Sequence, residues 1–480
     1  MKISKLITIL GENNAKFDDV ECAGIFIDSR KVCENSIFIC INGARVDGHD
    51  YYEQAIDRGA KLIICQRDLG LENQIIVKEP FIAYTELCSY YFGNPASKMN
   101  LVGITGTSGK TTTSYMVKSL LEQAGHKVGL IGTIQNIIGD EKLPSHNTTP
   151  EAYELHSLFE LMLKAGCDYV VMEVSSQALD QQRVHGLHFE TAVFTNLSQD
   201  HLDYHITMEN YLNAKLKLFE MCDNAVINLD DDAASKVIDK ARSSGCKVYT
   251  FAAKRDDADF IAKDTRFAAD SVGYEFVTNS KIGRVKVMVP GAFMVYNSMA
   301  AGVVGISTGI DFDSVVKYLQ NVKGVKGIVE VVPCERDYTL IIDFAHTPDE
   351  LKNVITMLSQ FKKGRLVVLF GCGGDRDRTK RPLMAEAVTS LADFTIVTSD
   401  NPRSEEPGEI IKDILKGVKC GKDKYTVIED RKEAIKYAVK NAKTDDIVLF
   451  AGKGYETYQI LKNGTIHFDE REVIAEALSE

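Results

Sequence analysis

LVGITGTSGKTTTSYMVKSLLEQAGHKVGLI, residues 101–131, decides the fold. An apolar run suited to a buried strand meets glycines at 106 and 109. An amphipathic stretch over 111–124 then suits a helix, and a second buried run follows at 128–131. Strand, glycine-rich turn and helix in that order gather backbone N–H groups and a helix N-terminus around one point, which makes a cradle for phosphate. Thr105, Gly106, Thr107, Ser108 and Gly109 are its expected walls. Lys110 is expected to reach the β- and γ-phosphates, and the Thr111 hydroxyl to hold Mg²⁺. The spacing is G-x-x-G-K-T, because Ile104 stands where a longer phosphate loop has its first glycine.

Outward from this loop, helices and buried strands alternate, the pattern of a parallel sheet covered on both faces. The rhythm turns irregular and polar between about 223 and 291, with a short β section near 274–289 and a helix over 297–307. It resumes with strands at 339–344, 366–370 and 394–398, helices at 349–361 and 381–391, and a terminal strand at 447–451. Upstream, residues 24–27, 37–41 and 61–65 read as strands and 51–58 as the one helix of a small α/β domain. The expectation is an α/β chain of three domains: 1–99, a P-loop-type parallel-sheet domain at 100–327, and a Rossmann-like domain at 328–480. A chain of 480 residues exceeds what one core serves.

The composition, 45% hydrophobic and 26% charged, is that of an ordinary globular chain, and its apolar runs are strand-sized, so no membrane span is expected. The opening MKISKLITILGENN lacks the long apolar core and small-residue cleavage site of a signal peptide, so a cytoplasmic location is expected. A net charge of -12 argues against nucleic acid as the main partner. The eleven cysteines include no CxxC pair, and Cys40, Cys65 and Cys167 sit in packed contexts, so free buried thiols are expected.

Carboxylates and histidines fall where strands end. The run 169–172 leads into Glu173, placed for Mg²⁺, and 192–195 leads into NLSQDHLDYH with Asp200, His201, Asp203 and His205. His201 is the metal-ligand candidate; for Asp203 and His205 a solvated position beside a helix cap at Ser198 or Asp200 is expected. The histidines at 185, 188, 201 and 205 have neither cysteine partners nor an HExxH helix, which disfavours zinc.

Taken together, GTSGKTTT, MEVSSQALDQQRV, TNLSQDHLDYH, DFAHTPDEL and FGCGGDRDRTKRPLM resemble the signatures of the Mur ligase family, ATP-dependent amide-forming enzymes of peptidoglycan precursor synthesis, over nearly the whole chain. The branch resembled extends UDP-N-acetylmuramoyl-L-alanyl-D-glutamate by one diamino acid. The resemblance implies that Thr111 and Glu173 bind a first Mg²⁺ and His201 a second, and that Lys215 is carbamylated into a further ligand. It implies that Ser29 and the loop 43–47 meet the uridine side, and that Asn147, Thr148, Thr149, Ser175, Gln181 and Arg183 meet the muramoyl-peptide. Asn297, read as the start of its helix, and Asp343 would face ATP. A monomer is expected.

DNPR, at Asp400, Asn401, Pro402 and Arg403, resembles the mark of family members that select meso-diaminopimelate. A guanidinium suits that molecule's distal carboxylate and repels the bare ammonium of lysine. Arg376 resembles a second carboxylate clamp, Glu456 the partner of the distal ammonium, and Gly452 a backbone contact. Four positions depart from the family pattern: Met294 for asparagine, Ile328 for an arginine near the ATP phosphates, and Gln177 and Tyr455 for histidines. Lys326 is a candidate substitute for the missing arginine. A divergent member joining another amine, or a low-activity nucleotide-binding homologue, is compatible with these departures.

Overall fold

The computed structural model describes every residue except Glu12, Asn13, Ala44, Arg45, Ala269 and Lys323, and the side chain of Asp203 is likewise outside the description. The chain forms two compact units, Met1–Phe260 with Ala300–Val315 and Ile261–Met299 with Val316–Glu480.

The first unit opens with four parallel strands in chain order, Ile25–Phe26, Ser36–Ile39, Ala60–Cys65 and Gln74–Ile76. The expected helix is Tyr52–Asp57. A second helix, Pro80–Tyr91, escapes the sequence reading. Its side chains are apolar or aromatic around most of the circumference. Tyr84, Leu87 and Cys88 enter the core, while Thr85 Oγ1 donates to Gln182 O at 3.0 Å, so no polar stripe marks the helical period.

The larger sheet of this unit runs Lys247–Ala252, Cys222–Asn228, Phe189–Phe194, Asn100–Thr105, Tyr169–Glu173 and Val128–Ile131, all parallel, and closes with the antiparallel strands Gln135–Ile138 and Glu141–Pro144. The phosphate-loop strand Asn100–Thr105 lies between Tyr169–Glu173 and Phe189–Phe194, so the carboxyl ends of three strands open side by side. The stretch after 222, expected to be irregular, holds strand Cys222–Asn228, helix Ala234–Ser243 and strand Lys247–Ala252. Their polarity comes from position. The helix buries only Ala234, Val237 and Ala241, and the strand starts exposed.

In the second unit the strands Phe260–Phe267, Val272–Val277 and Ile282–Val287 are antiparallel neighbours. A six-stranded sheet follows in the order Glu330–Val332, Thr339–Asp343, Ile447–Ala451, Leu366–Phe370, Phe394–Val397 and Tyr425–Val427, parallel except for the first. Its central strand Ile447–Ala451 is not the last element, since the hairpin Tyr458–Leu461 with Gly464–His467 and the helix Glu470–Ser479 follow. The helix expected from 297 begins at Ala292, directly after Gly291 with φ of 114°. Asn297 therefore sits inside it, 4% exposed, and is no N-cap; Met294 is buried one turn earlier.

All eleven thiols are free, and Cys40, Cys65 and Cys167 are buried. Among the described residues no helix is long and apolar enough to cross a membrane.

Candidate functional site

Each unit carries a polar site at the carboxyl ends of parallel strands. In the first, the loop after Thr105 turns at Gly106 with φ of 151°, and a β-carbon there would lie 1.9 Å from Thr195 Oγ1, so only glycine fits. Thr195 Oγ1 and Asn196 Nδ2 donate to Ser108 O at 2.7 and 3.1 Å, and Ser108 N donates to Asn196 Oδ1 at 2.9 Å. The neighbouring strand end thus holds the loop open, a role the sequence reading misses. Thr107 Oγ1 lies 3.2 Å from the hydroxyl of Tyr211. The Lys110 ammonium donates to Gly106 O and Thr107 O at 2.9 and 2.8 Å, and burial pulls its pKa below the ordinary lysine range.

Glu173 ends its strand fully buried, and desolvation pushes its carboxyl above the usual range. Three donors offset that burial: Thr111 Oγ1 and Thr133 Oγ1 reach Oε2, and Thr133 N reaches Oε1, each at 2.9 Å. Gly132 makes room, since a β-carbon there would meet Glu173 Oε1 at 2.3 Å. Thr133, from a distant segment, was not predicted. A hydroxyl and a carboxylate converging on one point are hard oxygen donors that suit Mg²⁺.

A cavity of about 330 Å³ joins Gly106, Lys110 and Lys215 to His201 and to five of the predicted muramoyl-peptide contacts, Asn147, Thr148, Thr149, Ser175 and Gln181, with Arg183 as the sixth. Lys215 is 1% exposed, donates to Gly106 O at 2.9 Å and lies 4.4 Å above the Tyr211 ring. Burial, then the Lys110 charge, holds it well below the ordinary lysine pKa. His201 has φ of 52° and an exposed ring 6.0 Å from that of Tyr211. Arg183 is already engaged by Gln181, Thr149 O and Glu151, the last unforeseen. Ser175 caps the helix Ser176–Asp180 through Ala178 N.

Two predicted positions behave otherwise. Ser29 does not line this cavity; it is buried, its hydroxyl donating to Gln54 Oε1 at 2.6 Å, and in the loop 43–47 Ala44 and Arg45 lie outside the described residues. His205, expected to be solvated, is 5% exposed and pairs with Ser176 Oγ at 2.9 Å, because the helix Leu202–His205 folds back over Ser176. That helix has no side-chain cap from Ser198 or Asp200.

In the second unit Asp343 ends its strand, and Gly371, Asp400 and Gly452 follow neighbouring ones. A cavity of about 200 Å³ gathers Arg376, Asp400, Asn401, Arg403, Gly452 and Glu456, with Pro402 in the same loop. Arg403 donates to Gly374 O at 2.8 Å. The loops of 371–376 and 400–403 touch backbone to backbone, since a β-carbon on Gly374 would lie 1.9 Å from Pro402 O. Asp343 accepts from Val329 N and Ala345 N, both at 2.8 Å, and burial pushes it up to about 6. Of the departures, the Tyr455 ring lies 4.6 Å from that of Phe344, tilted by 31°, and Ile328 is half-buried in a turn. Lys326 is engaged with Asp469 at 3.2 Å.

Known proteins match over the same ground. Residues 21–90 match the model of the Mur ligase family catalytic domain, 104–305 the Mur ligase middle domain and 329–454 the Mur ligase glutamate ligase domain. The chain is 43% identical over 488 residues to the UDP-N-acetylmuramoyl-L-alanyl-D-glutamate–2,6-diaminopimelate ligase of Clostridium botulinum, covering 100% of both chains. It is 46% identical to the ligase of the same name from Caldanaerobacter subterraneus, covering 96% of each. A solved structure of a ligase of that name superposes with a TM-score of 0.76 at 32% identity, covering 100% of this chain and 99% of the other. A MurF ligase from Thermotoga maritima in complex with ADP shares the fold at a TM-score of 0.59 and 19% identity, covering 95% of this chain and 96% of the other.

Proposed function

The chain belongs to the Mur ligase family, and from that premise we propose that it joins meso-diaminopimelate to UDP-N-acetylmuramoyl-L-alanyl-D-glutamate, using ATP, in peptidoglycan precursor synthesis. The observation that carries the choice of amine is the 200 Å³ cavity in which Arg376 and Arg403 stand with Glu456, two carboxylate-binding groups and one ammonium-binding group.

In the reaction, the γ-phosphoryl of ATP passes to a substrate carboxylate, releasing ADP. The amine then attacks the acyl phosphate, and the tetrahedral intermediate loses phosphate and a proton to give the amide. Charge neutralisation dominates such a step. Lys110 at the phosphate loop supplies a fixed cation. Thr111 and Glu173 would hold one Mg²⁺, and His201 with a carbamylated Lys215 another; when bound, these ions neutralise phosphate charge. The burial of Lys215 beside His201 in one cavity favours carbamylation, which makes a carboxylate of an amine. A native mass carrying one added carbon dioxide at Lys215 checks this, and a fully active enzyme with an unmodified lysine overturns it. Asn147, Thr148, Thr149, Ser175, Gln181 and Arg183 would orient the muramoyl-peptide and Ser29 the uridine end, while Asn297 and Asp343 would serve ATP.

The work divides among domains at 1–99, 100–327 and 328–480, and the amine held by the last must reach the acyl phosphate formed in the middle one. We take the enzyme to be a cytoplasmic monomer. The decisive measurement is phosphate release with UDP-muramoyl dipeptide, ATP and Mg²⁺ while meso-diaminopimelate, its LL isomer or lysine is added in turn. Release that depends on meso-diaminopimelate is expected. Release indifferent to all three overturns the proposal, and a preference for lysine overturns the role of Arg403.

A further inference from the structure

One buried cation behind the amine cavity, bonded to two of its lining residues, has no role in the assignments above. Lys453 follows Gly452 in the turn after strand Ile447–Ala451, and its side chain is 0% exposed. Its ammonium donates to Glu456 Oε2 at 2.9 Å and to Asn401 Oδ1 at 3.0 Å, and lies 4.0 Å from Asp400 Oδ1. Asn401 Nδ2 also donates to Glu456 Oε2, at 2.9 Å. One oxygen of Glu456 is therefore occupied twice from within the protein. Its other oxygen accepts from the Tyr458 hydroxyl at 3.4 Å.

Burying an ammonium is unfavourable unless it is paired, and a solvent-facing lysine would be simpler if packing were the whole purpose. What the pair does is electrical. It compensates the charge of Glu456 and leaves a single oriented oxygen for a substrate ammonium. The far end of diaminopimelate is a zwitterion and responds little, on balance, to one more negative charge nearby. The far end of lysine is a bare cation and responds strongly. A cavity with an uncompensated Glu456 would therefore admit lysine, and a compensated one leaves Arg376 and Arg403 to repel it.

Building on the amine specificity proposed above, we propose that Lys453 is a specificity-determining positioning residue: it aims Glu456 and cancels its surplus charge so that the cavity selects a zwitterionic side-chain end over a cationic one.

The test is kcat/KM for meso-diaminopimelate and for lysine in wild type, Lys453→Met, and Lys453→Met with Glu456→Gln. In the single variant the ratio of lysine to diaminopimelate use should rise about tenfold or more, with the change in KM. The double variant removes both members of the Lys453–Glu456 pair, and since Asp400 loses the cation 4.0 Å away in both variants, the two differ only at Glu456. It should use diaminopimelate poorly and discriminate against lysine as wild type does. Equal losses for both amines in the single variant, with the ratio unchanged, would mean a structural role only and overturn the inference. If the single variant does not fold, a double variant that accepts lysine overturns it, and one that rejects lysine supports it. A wild type that uses neither amine overturns the functional proposal itself, an outcome distinct from a wild type specific for diaminopimelate whose variants keep its ratio.

Discussion

Arg403 holds its side chain over the cavity from a backbone with φ of 55°, a region that disfavours residues other than glycine. Two neighbours fix it there: its own N–H donates to Ile460 O at 3.0 Å, and Pro402 O presses on Gly374. Strain over-determined by its surroundings at a binding site serves to aim a group. Arg403→Ala keeps the β-carbon and removes the guanidinium with the methylene arm that carries it. A charge-assisted pair of this kind contributes about 1.5–3 kcal/mol, so KM for diaminopimelate should rise by about tenfold to a hundredfold while lysine use improves. An unchanged KM in steady-state assays would exclude contact between Arg403 and the substrate. Arg403 is legible in the sequence because four adjacent residues carry the signal. Thr133, Glu151 and Asn196 are not, because each acts on a partner from a distant segment that only folding brings near, and Lys453 beside Glu456 reads as a surface lysine until its burial is seen.

The same contrast holds for whole elements. Strands buried on both faces, such as Asn100–Thr105, Tyr169–Glu173, Leu366–Phe370 and Ile447–Ala451, are readable as apolar runs, whereas Cys222–Asn228 and Lys247–Ala252, whose first residues are polar or exposed, are not. The helix Pro80–Tyr91 hides because it too is covered on most sides, and the helix Ala292–Ser307 starts early because Gly291, not Asn297, sets its beginning. Helix Ala152–Lys164 carries a further consequence of burial. His156 is 0% exposed, 5.8 Å from the Phe159 ring, and neither ring nitrogen has a hydrogen-bond partner among the described residues. Burial lowers its pKa from 6.5 to about 4. The folded state therefore resists protonation that the unfolded chain accepts. Stability is intact above pH 6.5 and is lost as pH falls towards 4, by about 2 kcal/mol between about pH 6.5 and about pH 5. His156→Leu removes the titrating group and two unsatisfied nitrogens, so the variant's urea midpoint should fall less on acidification than the wild type's. Equal acid sensitivity in the two proteins would show that His156 does not titrate in this window.

At the scale of the molecule, the phosphate loop belongs to one unit, while Asp343 and the amine cavity belong to the other. The chemistry divides the same way, because the acyl phosphate forms before any amine is needed. A heavy-oxygen label in the β–γ bridge of ATP scrambles whenever ADP and acyl phosphate form and revert, and this exchange can be followed without an amine present. Lys110→Ala removes the fixed cation at the phosphates and should slow exchange by about a hundredfold or more. Arg403→Ala should leave exchange near the wild-type rate while amide formation with diaminopimelate drops. Asp343→Asn separates the two roles within the second unit. Asp343 is read as serving ATP, so this variant should slow exchange even though its unit also holds the amine. If Arg403→Ala stops exchange as completely as Lys110→Ala does, amine binding and phosphoryl transfer are one event, and the assignment of Arg403 to the amine alone fails. If Asp343→Asn exchanges like wild type, Asp343 has no part in acyl phosphate formation.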